Sequence, residues 1–236
     1  AGVSVHGSHR IVTERTLFAM PETSIGLFPD VGASWFLPKC PGEIGMYLGL
    51  TGCRLNSADC LYAGVADYFV KSHSLDLLIN DLSSISNHSN NIDEVISKYT
   101  NEAGLNTLSK YQESIDRCFS AESIEKIIDN LQVEDNVWGA DTIKNIKKMS
   151  PTSLKVTFRQ LRLGKTIKEF ENIMTMEYRI ANRCFKGHDL FEGIRSVVVD
   201  KDRAPKWLPS KVDDIREEDI DEYFAPISDE PNFYNY

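Results

Sequence analysis

The spacing of apolar positions changes near residue 72, from short clusters before it to stripes at helical intervals after it. Residues 1–9 read as the end of a helix, with Gly7 as a stop. Residues 9–13, His-Arg-Ile-Val-Thr, are few and rich in β-branched side chains, which predicts a strand. Residues 16–20 form a second short extended piece, and Pro29-Asp30 then opens a helix through Trp35, Phe36 and Leu37 that ends near Pro38 and Pro41. Ile44, Tyr47 and Leu48 share a helix face that Gly52 terminates, Ser57 caps a short helix ending near Gly64, and residues 65–70 alternate as a strand does.

Beyond residue 72, Leu75, Leu77, Leu78, Leu82 and Ile85 form a stripe. Residues 83–91 are rich in Ser and Asn and predict a loop, and Ile92, Val95, Ile96 and Tyr99 give another helix. Ile124, Ile127, Ile128 and Leu131 fall at i, i+3, i+4 and i+7. Ser150-Pro151 is a strong helix start: the serine caps free N–H groups, and the proline lacks the one that would be orphaned. Leu154, Phe158 and Leu161 follow as the buried stripe, with Gly164 as the end. Thr166 begins a second long helix with Phe170, Met174 and Tyr178 facing inward. Residues 188–207 are ambiguous, since the Val197-Val198-Val199 run by itself suggests a strand. No internal repeat is visible, and from about Glu217 the tail is acidic, with fraying expected at its last residues.

The chain has 236 residues, 42% of them hydrophobic and 10% aromatic, enough for a large core. A net charge of −9 argues against a general nucleic-acid binder but leaves room for a local basic groove. The five cysteines are odd in number and contain no Cys-x-x-Cys pair, so neither a zinc site nor a disulfide framework is expected, and a reducing compartment fits. Five scattered histidines offer no metal-binding helix motif, and no apolar run reaches the length of a membrane span. The first residues lack an initiator Met, a signal-peptide pattern and a basic presequence, and read as a start inside a fold.

Two carboxylates, Glu22 and Asp30, stand close together in sequence among Met20, Ile25, Leu27, Phe28 and Trp35. In such company a carboxylate is partly desolvated, which raises its pKa and makes it a better base or nucleophile near neutral pH. The plainer alternatives are a solvated turn for Glu22 beside Pro21 and a helix N-cap for Asp30. Lys201, Arg203 and Lys206 form a small basic cluster, readable as a solvated helix end complementing the helix dipole. His188 reads as part of a helix start, Glu192-Gly193 and Arg195 as packing and ion-pair positions, and His6 and His9, though near serines, as structural.

Residues 19–38, with Pro-Glu-Thr followed by Gly-Leu-Phe-Pro-Asp-Val-Gly, resemble the active-site loop of the crotonase superfamily, in particular its 3-hydroxyisobutyryl-CoA hydrolase branch. The resemblance covers almost the whole chain. It is most specific over residues 18–38, 149–161, 174–179 and 187–207, and weak over 72–118. It implies an α/β fold: the C-terminal part of a crotonase-like ββα spiral core, then a mostly helical C-terminal region. Residues 1–71 would be the second part of the core with the catalytic loop, 72–149 a helical insertion, and 150–236 C-terminal helices and the acidic tail. It also turns residues 188–207 into a helix.

The resemblance implies an enzyme that hydrolyses the thioester of 3-hydroxyisobutyryl-CoA in valine breakdown, and 3-hydroxypropionyl-CoA as well. Glu22 would be the nucleophile or the base that activates water, and Asp30 would hold the 3-hydroxyl and share in proton transfer. Lys201, Arg203 and Lys206 would contact the CoA phosphates. The family's two oxyanion donors would both lie upstream of Ala1, and losing a donor costs on the order of a hundredfold or more in rate. The chain alone is therefore expected to be nearly inactive. Gly2 aligns where hydratases carry a second catalytic glutamate, which favours the hydrolase branch. No cofactor or metal is implied, coenzyme A being part of the substrate. The expected partner is an acyl-CoA, with no nucleic acid, no membrane and self-association left open. The expected location is the mitochondrial matrix, since the C-terminus is not a Ser-Lys-Leu-type signal. The competing readings are a non-catalytic component of the mitochondrial ribosomal small subunit, docking through the acidic tail and residues 72–118, and an enoyl-CoA hydratase or isomerase.

Overall fold

A computed structural model describes residues 2–85, 92–134 and 136–233. In chain order its elements are β1 (Ile11–Val12), α1 (Ala33–Phe36), α2 (Ile44–Thr51), α3 (Ser57–Tyr62), β2 (Tyr68–Phe69), α4 (Leu75–Ser83), α5 (Ile92–Tyr99) and α6 (Gln112–Phe119). There follow α7 (Ile124–Val133), α8 (Val137–Ile146), α9 (Pro151–Gly164), α10 (Phe170–Cys184), α11 (His188–Ile194) and α12 (Glu217–Phe224). They group into two compact units, residues 3–19 with 54–111, and residues 20–53 with 112–236, Gly2 going with the second.

In the first unit β1 and β2 run parallel, Ile11 opposite Tyr68 and Val12 opposite Phe69. A separate antiparallel bridge joins Phe18 to Leu55, and Arg10 grips Asp67 with both its backbone N–H and its guanidinium, each at 2.8 Å. The stripes of α4 and α5 close over the strands, burying Leu78, Val95 and Ile96 with Val70, while Leu77 points outward, 59% exposed. Residues 2–9 are turns and bends rather than a helix end, as suits a segment of two glycines, two serines and two valines, all weak helix formers. The α3 cap is Asn56, one residue before the expected Ser57; its extended backbone lets the side chain accept from the Asp59 N–H at 2.9 Å. The loop expected at residues 83–91 lies mostly outside the described residues, as do the last three residues of the tail.

The second unit is built around α9 and α10. Ser150 caps α9 as its sequence predicts, accepting from Ser153 N–H at 3.0 Å with Pro151 at the first position. The apolar core joins Phe28 to Val156 of α9, Ile173, Met176, Ile180 and Cys184 of α10, Leu190 of α11 and Ile220 of α12. The inward face of α10 differs from the expected Phe170, Met174 and Tyr178. Its buried residues are Ile173, Met176, Glu177, Ile180 and Cys184, and Tyr178 is 38% exposed. The helix packs against α1 and α12 at once, which turns its buried stripe and leaves Phe170 on the flank, edge-on to Trp35. Residues 188–207 are helical only in their first half: α11 passes into a π-helical stretch, Arg195–Val199, and then into a loop. The three valines are therefore no strand, and all three are exposed. Among the described residues no helix is long and apolar enough to cross a membrane.

Candidate active site

Glu22 opens a 3-10 turn, Glu22–Ile25, held on every side. Thr23 is fully buried; its hydroxyl donates to the Leu50 carbonyl at the end of α2, and its carbonyl accepts from Ser150 N–H at 3.0 Å. The turn closes on Gly26 at φ 72°, where the backbone of Asp189 comes so near that an added Cβ would lie 2.2 Å from it. Gly193 of α11 meets Ile25 in the same way, at 2.3 Å. Two glycines thus let the turn and α11 touch backbone to backbone, a contact any side chain would prevent. The expected packing role of Glu192-Gly193 is this contact, continued by the ion pair from Glu192 to Arg195 at 2.8 Å. Beneath it, the Ser150 hydroxyl donates to Asp189 at 2.6 Å, tying the start of α9 to α11.

The Glu22 carboxylate is part-buried, and its Oε2 has neither solvent nor a hydrogen-bond partner. Desolvation, aided by the negative charge of Asp30, pushes its pKa up to about 7, against the pull of its own backbone N–H. Asp30, also part-buried, is raised by desolvation as well. The structure therefore brings Glu22 and Asp30 within electrostatic reach of each other. Neither is a solvated turn residue. Nor does Asp30 cap a helix: α1 begins three residues later, at Ala33, with Gly32 at the cap position and no side-chain cap bond. Only the Asp30 carbonyl takes part, accepting from Ala33 N–H at 3.0 Å. Its carboxylate is left available for other work.

Between Asp30 and α1 the chain takes two successive left-handed residues, Val31 at φ 53° and Gly32 at φ 81°. For a β-branched residue this is a strained conformation, costing about 1–3 kcal/mol. Residues that the sequence reading missed hold it. Glu177, only 3% exposed, accepts from Gly32 N–H at 2.8 Å, Ser34 N–H at 3.0 Å and the Ser34 hydroxyl at 2.7 Å. Gln160 of α9 donates to the Pro29 carbonyl at 2.6 Å and to the Ser34 hydroxyl at 2.7 Å. The available signal was a carboxylate inside an apolar stripe: Glu177 lies four residues after Ile173 and three before Ile180, within the specific stretch 174–179.

Lys201, Arg203 and Lys206 stand exposed on the loop after the π-helical stretch, in the same unit as the carboxylates. Lys201 and Arg203 have φ of 57° and 54°. Arg195 fixes the loop through Asp200 and Asp202, each at 2.7 Å, and Glu192 accepts from Lys206 N–H at 2.7 Å. The cations thus hang from the far end of the element whose Gly193 supports Glu22. The hydroxyl of Ser8 lies 2.8 Å from His9 Nδ1, and His9 Nε2 lies 3.2 Å from Asp93. Ser8 and Asp93 are both exposed, and a catalytic triad needs water excluded, so the structural reading of His9 stands. All five cysteines are free, and among the described residues no group of His, Cys, Asp and Glu could hold a metal ion. A Cβ on Gly2 would lie 2.7 Å from the Cβ of Val31, so a second catalytic side chain at that position would displace Val31.

A sequence profile of the enoyl-CoA hydratase/isomerase family matches residues 1–224. The chain belongs to that family. More particularly, it is similar to proteins named 3-hydroxyisobutyryl-CoA hydrolase, mitochondrial. It is 45% identical to that of Homo sapiens over 232 residues, 96% of this chain and 60% of the relative. It is 42% identical to that of Danio rerio over 234 residues, 97% of this chain and 61% of the relative. The chain thus spans about three fifths of the length of these relatives. Among solved structures, a carnitinyl-CoA dehydratase from Mycobacterium thermoresistibile superposes with a TM-score of 0.91 at 31% identity, covering 100% of this chain and 66% of that one. An enoyl-CoA hydratase from Rhodobacter sphaeroides 2.4.1 gives 0.84 at 33%, covering 95% and 64%. The resemblance read from residues 19–38, and the crotonase-like α/β fold class, are borne out.

Proposed function

We propose that this chain supplies the carboxylate part of an acyl-CoA thioester hydrolase site, acting on 3-hydroxyisobutyryl-CoA and on 3-hydroxypropionyl-CoA. One observation carries the reading: Glu22 keeps a buried, unpartnered oxygen and has its pKa raised to about 7, so near neutral pH it is poised between base and acid. Attack on a thioester carbonyl needs such a group, either as the nucleophile itself or as the base that takes a proton from water. In the first route the carboxylate forms an anhydride with the acyl group and expels the CoA thiolate, and water then cleaves the anhydride. In the second, water attacks the carbonyl directly, Glu22 takes its proton, and the tetrahedral adduct collapses with loss of the CoA thiolate. Asp30 accepts the hydrogen bond of the substrate's 3-hydroxyl, and Lys201, Arg203 and Lys206 meet the CoA phosphates. No cofactor enters this scheme. The relatives' names support the substrate and a mitochondrial location; we further propose that the reaction takes place in the matrix, within valine breakdown.

The hydratase reading has less support. Adding water across a double bond calls for a second carboxylate at the position of Gly2, where Val31 leaves no space. The test is CoA release from 3-hydroxyisobutyryl-CoA by the whole natural protein. Glu22→Gln keeps the shape but removes the base, and kcat is expected to fall by about a thousandfold or more. Turnover that survives the substitution within about threefold contradicts the assignment.

A further inference from the structure

We propose that Glu177 is a positioning residue for Asp30: its buried carboxylate, carried on α10, clamps the turn after Asp30 and so aims that side chain at the 3-hydroxyl of the substrate. The inference rests on the reading of Glu22 and Asp30 given above. Its basis is geometric. All three donors to Glu177 lie within the four residues after Asp30, at Gly32 N–H, Ser34 N–H and Ser34 Oγ. Gln160 holds the residue before Asp30 by accepting nothing and donating to the Pro29 carbonyl. Asp30 therefore sits between two anchors, both reaching in from long helices of the unit's core. The turn they enclose is strained at Val31 and does not keep its shape by itself.

The choice of a carboxylate is informative. A buried charge is costly unless paired or fully hydrogen-bonded, and here the pairing is entirely with the N–H and O–H groups of one turn. An amide or hydroxyl would be cheaper to bury, but only a carboxylate accepts from three converging donors without offering a donor of its own. The N–H groups of Gly32 and Ser34, with the Ser34 hydroxyl, converge on one carboxylate as the donors of an anion-binding nest do, and Glu177 fills this nest from within the protein. Desolvation raises the Glu177 pKa against the pull of its three donors, and the charge of Asp30 adds to the rise, which places the two carboxylates within each other's field. Glu177 touches no reacting atom in this scheme. It acts through the backbone of residues 32–34.

A merely structural Glu177 would affect stability and all substrates alike, whereas a positioning one affects what Asp30 reads. The test uses the whole natural protein and two thioesters, 3-hydroxyisobutyryl-CoA and isobutyryl-CoA, which lacks the hydroxyl. In wild type the first is expected to be preferred, and Asp30→Asn is expected to erase that preference. Glu177→Gln turns an N–H donor toward the donors of the nest; kcat/KM for the hydroxylated substrate is expected to fall about tenfold or more, with the other substrate changed less than about twofold. Added to Asp30→Asn, it is expected to cost less than about twofold further, since its effect runs through Asp30. Ser34→Ala, which removes one of the three donors, keeps the test available if Glu177→Gln does not fold, with a loss of about threefold in the same preference. Equal losses on both substrates, or full additivity with Asp30→Asn, overturn the proposal. A preference that survives Asp30→Asn overturns the site reading itself, and the proposal with it.

Discussion

Glu22 does by desolvation what a free glutamate does not do at neutral pH. Its ordinary pKa of 4.5 rises to about 7 because burial removes water from the carboxylate, which outweighs the pull of its own backbone N–H. The consequence reaches stability. A group whose pKa is higher folded than unfolded favours the folded state while protonated, and that benefit is lost as pH rises from 4.5 through about 7. Above that window the charged side chain is a burden of about 3 kcal/mol. Glu22→Gln is neutral at every pH, so its Tm relative to wild type should climb by several degrees between pH 4.5 and pH 8. A Tm difference that stays constant over that range, followed by calorimetry, would mean that Glu22 titrates normally. The two acidic candidates were legible in the sequence because apolar neighbours crowd them. Glu177 was not, because a carboxylate inside an apolar helix stripe reads as a break in the pattern until three converging donors reveal its purpose.

The elements that carry the site owe their precision to short side chains. Gly26 and Gly193 let the Glu22 turn lie directly on α11, and Ser150 ties that helix to the start of α9. Gly193→Ala would drive a methyl group to 2.3 Å from the Ile25 backbone, which cannot step aside as a side chain could. The expected cost is about 1–3 kcal/mol, read as a lowered Tm in thermal denaturation; an unchanged Tm would show that this contact is looser than described. Element boundaries followed the sequence where a local cap decides them, as at Ser150-Pro151 and Gly52. They departed from it where distant packing decides. α1 starts at Ala33 rather than Asp30 because Glu177 and Gln160 hold the preceding turn open, and the face of α10 is set by the helices packed against it rather than by its own apolar spacing. The valine run at 197–199 has strand propensity, yet among the described residues no strand pairs with it and the preceding helix carries it on as a π-helical stretch.

For the molecule as a whole, the two strands were legible locally, in the β-branched run at 9–13 and the alternation at 65–70, though each is only two residues long, whereas the crotonase-like α/β class was legible through the family resemblance. The grouping into units also lies outside local sequence: β1 finds β2 across more than fifty intervening residues, most of which belong to the other unit or to helices between. Catalysis is a property at this scale, because the raised pKa of Glu22 matters only if it governs thioester cleavage by the complete fold. The most direct test is the pH dependence of kcat/KM for CoA release from 3-hydroxyisobutyryl-CoA, measured in the whole natural protein and in Asp30→Asn. The account predicts a rise of about tenfold per pH unit that levels off near pH 7, and a midpoint moved to lower pH in the variant, where the Asp30 charge no longer opposes ionisation of Glu22. A profile flat from about pH 5 to 9, or a midpoint that moves upward in Asp30→Asn, would contradict it.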